Sequence, residues 1–193
     1  MKLQNLDDQD LVKHYIKGKE QALEILLQRH QSRIFTSIYL LVKDQYLAED
    51  IFQDTFIKVI NTLRSGRYNE EGKFLPWVLR IAHNLVIDYF RKEKRNPAMT
   101  TTEGVDVLNF IQIHEESAED RMLREQNHYD LRRMIQLLPD EQKEVLIMRH
   151  YGNLSFKEIA ELTDVSINTA LGRMRYALSN LRKMMTVKIA VVR

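Results

Sequence analysis

The chain has 193 residues, a formal net charge of +2, no cysteine, and six Gly with three Pro, together under 5% against a usual share of roughly 12%. Strand-rich folds consume Gly and Pro at their turns, so this scarcity argues against an all-β sandwich or barrel and for an all-α chain. The missing thiols exclude disulfide scaffolds, Cys-ligated zinc and thiol nucleophiles, and the small net charge means that any nucleic-acid surface must be local.

The opening MKLQNLDDQD carries three acids and no apolar run, so it is not read as a signal peptide. The longest apolar stretches, Ile38–Val42 and Ile189–Val192, fall far short of the roughly 20 residues of a membrane span. A cytoplasmic protein without direct membrane insertion is expected. From Lys19 to about Lys43 apolar residues recur at helical spacing, among them Ala22, Leu23, Leu26, Ile34, Ile38 and Val42. A second helix is predicted from Gln45 to Leu63, with Ile51, Phe52, Phe56, Val59, Ile60 and Leu63 on its apolar face and acids opposite. Arg64–Lys73, which holds Gly66 and Gly72, reads as a loop. A third helix covers residues 74–95, with Pro76 tolerated in its first turn and Asn96-Pro97 as its stop.

Residues 97–116 carry four acids, no Lys or Arg, and three consecutive threonines. They read as a linker, in which Val107–Ile113 is an apolar anchor, with a short strand as the alternative. Beyond it, Ser117-Ala-Glu-Asp opens a helix to about Leu138. Leu138-Pro-Asp-Glu opens the next, stopped by Gly152. Ser155-Phe-Lys-Glu158 is a capping box for a short helix to Leu162, and Ser166 caps a last one from Ile167 to about Met185.

Three clusters carry chemistry. Leu154–Lys183 is a short amphipathic helix, a tight turn and a longer helix, with Phe156, Ile159, Ala160 and Leu162 predicted to face inward. This is the pattern of a helix-turn-helix, and Gly172–Arg193 holds six Lys or Arg and no acid, as phosphate contact requires. Asn168 can read adenine, and Thr169 can meet phosphate or a thymine methyl. The helix over 74–95 carries Arg80, Arg91, Lys92, Lys94 and Arg95 among aromatics, a mixture that suits unstacked nucleic acid. Phe74 and Trp77 are read there as core residues. Asn84, an amide in an apolar stretch, needs a partner. Between Asp44 and Ile57 lie four acids and no base, with Asp50 and Asp54 on one face. No third ligand is close in sequence, so this face reads as solvated or as a surface for a basic partner, and no metal is expected.

The strings AEDIFQDTFIKV (48–59), FLPWVLRIAHNLVIDYFRK (74–92) and residues 138–183 together resemble the sigma-70 family of bacterial RNA polymerase sigma factors, in the extracytoplasmic-function class. The resemblance covers about residues 10–95 and 117–185. It implies an all-α protein of two small helical domains. Residues 1–96 would bind core RNA polymerase and capture the melted −10 strand. The linker 97–116 would thread along the polymerase, and residues 117–193 would read the duplex −35 element. Core binding would fall to Glu49, Asp50, Gln53 and Asp54. The −10 contacts would fall to Arg64, Arg67, Arg80, Asn84, Arg91, Lys92 and Arg95. The −35 contacts would fall to Ser166, Asn168, Thr169, Leu171, Gly172, Arg173, Arg175 and Tyr176. An anti-sigma factor is implied as a further partner, with neither cofactor nor small-molecule substrate.

The chain departs from many members of the family in having no base early in the recognition helix, where Leu171 and Gly172 offer no polar readout. Gly172 inside a helix is read as permitting close approach to the DNA backbone. The alternative function is a helix-turn-helix repressor or activator that acts alone. An enzyme is not expected, because His14, His30, His83, His114, His128 and His150 show no metal spacing and no phosphate loop or nucleophile elbow is present.

Overall fold

The computed structural model describes residues 3–69, 73–95 and 129–191, and every regular element among them is helical. The chain divides into two compact units. The first holds a 3-10 turn at Leu3–Asn5 and helices α1 (Asp8–Ile16), α2 (Glu20–Val42), α3 (Gln45–Arg64) and α4 (Phe74–Arg95). The second holds α5 (129–136), α6 (Asp140–His150), α7 (Phe156–Leu162) and α8 (Ile167–Val191).

In the first unit α2 is central and packs against α1, α3 and α4. Its apolar positions Ala22, Leu26, Ile34 and Ile38 meet Leu11, Val12 and Tyr15 of α1, Ile51, Phe56, Val59 and Leu63 of α3, and Phe74, Val78, Ala82 and Val86 of α4 in one core. The predicted faces of α2 and α3 are therefore the buried ones, while the buried column of α4 runs through Val78, Ala82 and Val86. Helix α1 was not anticipated. Its signal is local: Asp7 accepts from the Asp10 N–H at 2.8 Å as an N-cap, and Leu11, Val12 and Tyr15 lie one turn apart. Its position depends on distant residues. Asp8 receives both the Arg29 guanidinium and His30 Nε2, the latter at 2.7 Å, while Arg29 also donates to the Leu6 carbonyl at 3.0 Å. The chain reverses between α2 and α3 at Lys43, which takes a left-handed φ of 61°, and Asp44 then caps α3 through the Leu47 N–H at 2.9 Å.

In the second unit α6 and α7 pack on α8. Val145, Met148, Leu154, Ile159, Ala160 and Ala170 form the cluster under the α7–α8 corner, with Phe156 and Leu162 half-buried against it. The expected capping box is present: the Glu158 N–H meets Ser155 Oγ at 3.2 Å, and Glu158 Oε2 accepts from the Ser155 N–H at 2.7 Å. Ser166 caps α8 through the Thr169 N–H at 3.0 Å. The stop after α6 differs from expectation. The left-handed residue there is Asn153 (φ 56°), and it is Asp164 (φ 52°) in the α7–α8 turn. Both are residues whose short polar side chains tolerate that conformation. Helix α8 also runs past Met185 to Val191. The expected 97–116 linker, the Val107–Ile113 anchor, the Ser117 cap, Gly72 and the Asn96-Pro97 stop lie outside the described residues.

Candidate nucleic-acid interface

Ala170, Ala177 and Leu181 turn α8 inward, so the opposite side of the helix is free. Ser166, Asn168, Thr169, Leu171, Arg175 and Tyr176 are exposed, and Gly172 and Arg173 are half-exposed. Gly172 lies near the middle of that face, between Asn168 one turn before it and Arg175 and Tyr176 one turn after. A Cβ at Gly172 would meet nothing within 4 Å. Ser166 Oγ and Thr169 Oγ1 hold each other at 2.8 Å. The α7–α8 turn closes through the Val165 N–H to the Ala160 carbonyl at 3.0 Å, which sets the angle at which α8 leaves α7. Polar ties outside the corner brace it. Arg149 donates to the Leu154 carbonyl at 2.8 Å and lies 5.2 Å over the Phe156 ring, and Asn180 of α8 donates to Gln142 of α6 at 2.9 Å.

In the first unit a second basic face runs along α4. Arg80, Asn84 and Arg91 fall on the side away from Val78, Ala82 and Val86, and Lys92 is exposed at its flank. Asn84 is exposed, so burial imposes no partner on it. Arg80 is half-buried, and its Nε is buried without an acceptor among the described residues. Arg91 stands 3.8 Å from Asp88 in an exposed pair, and Arg95 is the last helical residue. Phe74 is core, as expected. Trp77 is half-buried, between Phe74 and Tyr68, with the Tyr68 ring centroid at 4.4 Å. Burial, with Glu93 and Asp44 nearby, raises the Tyr89 phenol above its ordinary pKa. Arg64 closes α3 and Arg67 lies in the loop after it, each with partners of its own. Arg64 donates to the Tyr15 hydroxyl and to Glu20, both at 3.2 Å, so it braces α1 and α2. Arg67 is exposed and donates to Ser65 Oγ at 2.9 Å.

The acidic cluster lies on α3. Asp50, Gln53 and Asp54 are exposed, and neither aspartate meets a cation among the described residues. Glu49 is half-buried and accepts from Gln45 at 3.0 Å. The same stripe displays Tyr46 and Ile57, at 77% and 56% exposure, which sequence reasoning missed. Their signal was a large apolar residue four before Asp50 and another three after Asp54, both off the core face. Among the described residues no three His, Cys, Asp or Glu side chains gather as a metal site, and no helix is long and apolar enough to cross a membrane.

The two-helix corner and its basic second helix define a helix-turn-helix DNA-binding protein. Comparison with known proteins takes this further. Residues 26–96 match the model of sigma-70 region 2, and residues 128–181 match that of sigma-70 region 4. The RNA polymerase sigma-H factor of Pseudomonas aeruginosa is 29% identical over 171 residues, covering 86% of this chain and 88% of that one. SigW of Bacillus subtilis, an extracytoplasmic-function sigma factor, is 28% identical over 176 residues, covering 89% and 93%. The sigma-E factor of Escherichia coli is 29% identical over 175 residues, covering 89% and 90%. Two solved structures share the fold. RpoE in complex with the anti-sigma factor NepR from Bartonella quintana has a TM-score of 0.64 at 16% identity, covering 86% of this chain and 97% of that one. CnrH in complex with the cytosolic domain of CnrY has a TM-score of 0.59 at 19% identity, covering 93% and 97%. The chain belongs to the sigma-70 family of RNA polymerase sigma factors, in its extracytoplasmic-function class.

Proposed function

We propose that the chain is a promoter-specificity subunit that binds core RNA polymerase and directs transcription initiation. It works by binding, without catalysis of its own, in the cytoplasm. Residues 1–96 form the core-binding and −10 domain, residues 117–193 the −35 domain, and 97–116 the connection, in keeping with family matches that end at 96 and resume at 128. The observation that carries this reading is the division of charge in one chain. The α3 face bears exposed acids that meet no cation among the described residues, and the α8 face bears bases without a neighbouring acid in sequence. Promoter DNA repels the first and attracts the second, so the acidic face is left for a basic protein surface.

Each surface then has a role. Asp50, Gln53 and Asp54 dock on core polymerase, with Tyr46 and Ile57 adding apolar area and Glu49 at the rim. Arg80, Asn84, Arg91, Lys92 and Arg95 hold the melted −10 strand. Trp77 and Tyr68 lie close by, and unstacked bases favour such aromatic surfaces. Arg67 joins from the loop, while Arg64 serves through its brace to Tyr15 and Glu20. Asn168, Thr169, Leu171, Gly172, Arg173, Arg175 and Tyr176 meet the duplex −35 element, with Ser166 as the cap that orients them. Two fold relatives were solved with a bound partner, one of them a named anti-sigma factor, which supports an anti-sigma factor as a partner here too.

Run-off transcription on a genomic promoter library tests the reading. The full chain with core polymerase yields transcripts from a restricted promoter set that core alone does not start. Tight binding of duplex without core, and no core-dependent transcript, would mark a lone regulator instead.

A further inference from the structure

We infer that α8 reads its duplex element through thymine methyl groups, with Leu171 as the apolar reader and the bare backbone at Gly172 allowing the close approach that this contact needs. The inference rests on the promoter-directing reading above and adds the base chemistry to it.

Asn168, Leu171, Gly172 and Arg175 follow one another along the side of α8 turned from Ala170 and Ala177. From such positions the N-terminal part of a recognition helix reaches base edges. Of these four, Asn168 and Arg175 carry hydrogen-bonding side chains. The neighbouring hydroxyls of Ser166 and Thr169 are engaged with each other and with the cap. Leu171 stands 40% exposed, and Ile167, one turn earlier on the same edge, 46% exposed. In the major groove the one apolar group that a base edge offers is the C5 methyl of thymine. A leucine at a base-reading position therefore has a specific match in duplex DNA.

Gly172 supports the same reading. Its φ is not left-handed, and a Cβ there would touch nothing. Neither backbone geometry nor internal packing calls for glycine, and glycine disfavours a helix interior. What the missing side chain leaves is a notch beside Leu171, framed by Asn168 and Arg175, into which a base edge can advance. The charge around the notch selects its occupant. Arg173, Arg175, Arg182 and Lys183 follow with no acid among them, which favours a phosphate-bearing partner over a basic or neutral protein face.

The test uses holoenzyme assembled from core polymerase and the full chain. Duplexes are selected from a library randomised over the −35 element, and each thymine of the selected element is then replaced by deoxyuracil, which removes the methyl alone. We expect at least one position where the replacement weakens binding about fourfold, the loss for one buried methyl. Holoenzyme carrying Leu171→Ala binds the thymine and uracil forms of that position alike. A selected element without thymine, equal binding of both forms by the unaltered holoenzyme, or a uracil penalty that persists in Leu171→Ala overturns the inference. The uracil comparison on the unaltered chain does not depend on any variant folding. Absence of every core-dependent transcript would strike at the promoter-directing reading, whereas core-dependent transcripts with equal thymine and uracil binding would strike at the methyl reading alone.

Discussion

The two units support their working faces differently. Among the described residues, the core beneath α3 and α4 is one cluster drawn from all four helices and Leu6, while the α7–α8 corner rests on a cluster of six and the second unit buries Ile135, Leu138, Leu146, Ile147, Ala177 and Leu181 besides. The first unit displays charge from long helices on a broad core. The second displays its recognition helix from a corner set by caps and single polar ties. Those local hydrogen bonds sit next to the exposed face of α8, so their loss is felt there directly.

This contrast can be broken by substitution. The largest effect is expected at Ile159, fully buried in the small cluster. Ile159→Ala should lower stability by about 2–5 kcal/mol and abolish duplex binding. Thermal melting followed separately for each unit checks it, and a transition shared by both units would show that the supports are not independent. Next comes Ser155→Ala, which removes the capping box and should cost about 0.5–2 kcal/mol in the second unit alone. Gly172→Ala runs the other way. It should stabilise α8 by about 0.5–1 kcal/mol while weakening duplex binding, a split visible by pairing melting with anisotropy. If both properties improve together, the notch has no role in recognition.

The smallest expected effect is in the first unit and depends on pH. Burial alone would raise the Asp8 pKa, but His30 and then Arg29 outweigh it and hold the group below its ordinary 3.8. A carboxylate depressed in the folded state adds stability that is complete above the ordinary value and fades as pH falls through the folded one. Asp8→Asn should therefore destabilise the first unit at neutral pH and match the unaltered chain in strong acid. Urea midpoints across that range decide it, and a gap that stays constant into acid would remove Asp8 from the account.

What the sequence made legible was what is periodic or adjacent. The apolar spacing of α2 and α3, the Ser155–Glu158 box and the Ser166 cap each depend on residues within a turn or two, and they stand where the pattern put them. Pairings across long separations were not legible. Asp8 with Arg29 and His30, or Arg64 with Tyr15 and Glu20, join residues that no local pattern relates. Lys143 shows the same limit. It is 1% exposed inside α6 and donates to Asp140 at 2.8 Å, whereas its residue type predicts a solvated side chain. On the α3 face the charge was legible and the exposed apolar area was not, since Tyr46 and Ile57 differ from core residues only in the side of the helix they occupy.

In the proposed function an acidic face for polymerase and a basic face for DNA act separately in one chain. The direct measurement is the affinity of the Asp50→Lys/Asp54→Lys double variant for core polymerase. Both positions are exposed, so the fold and its melting temperature should hold. Core affinity should fall about a hundredfold or more as like charges meet, and run-off transcription should vanish with it. Undiminished core affinity in a folded double variant would contradict the account.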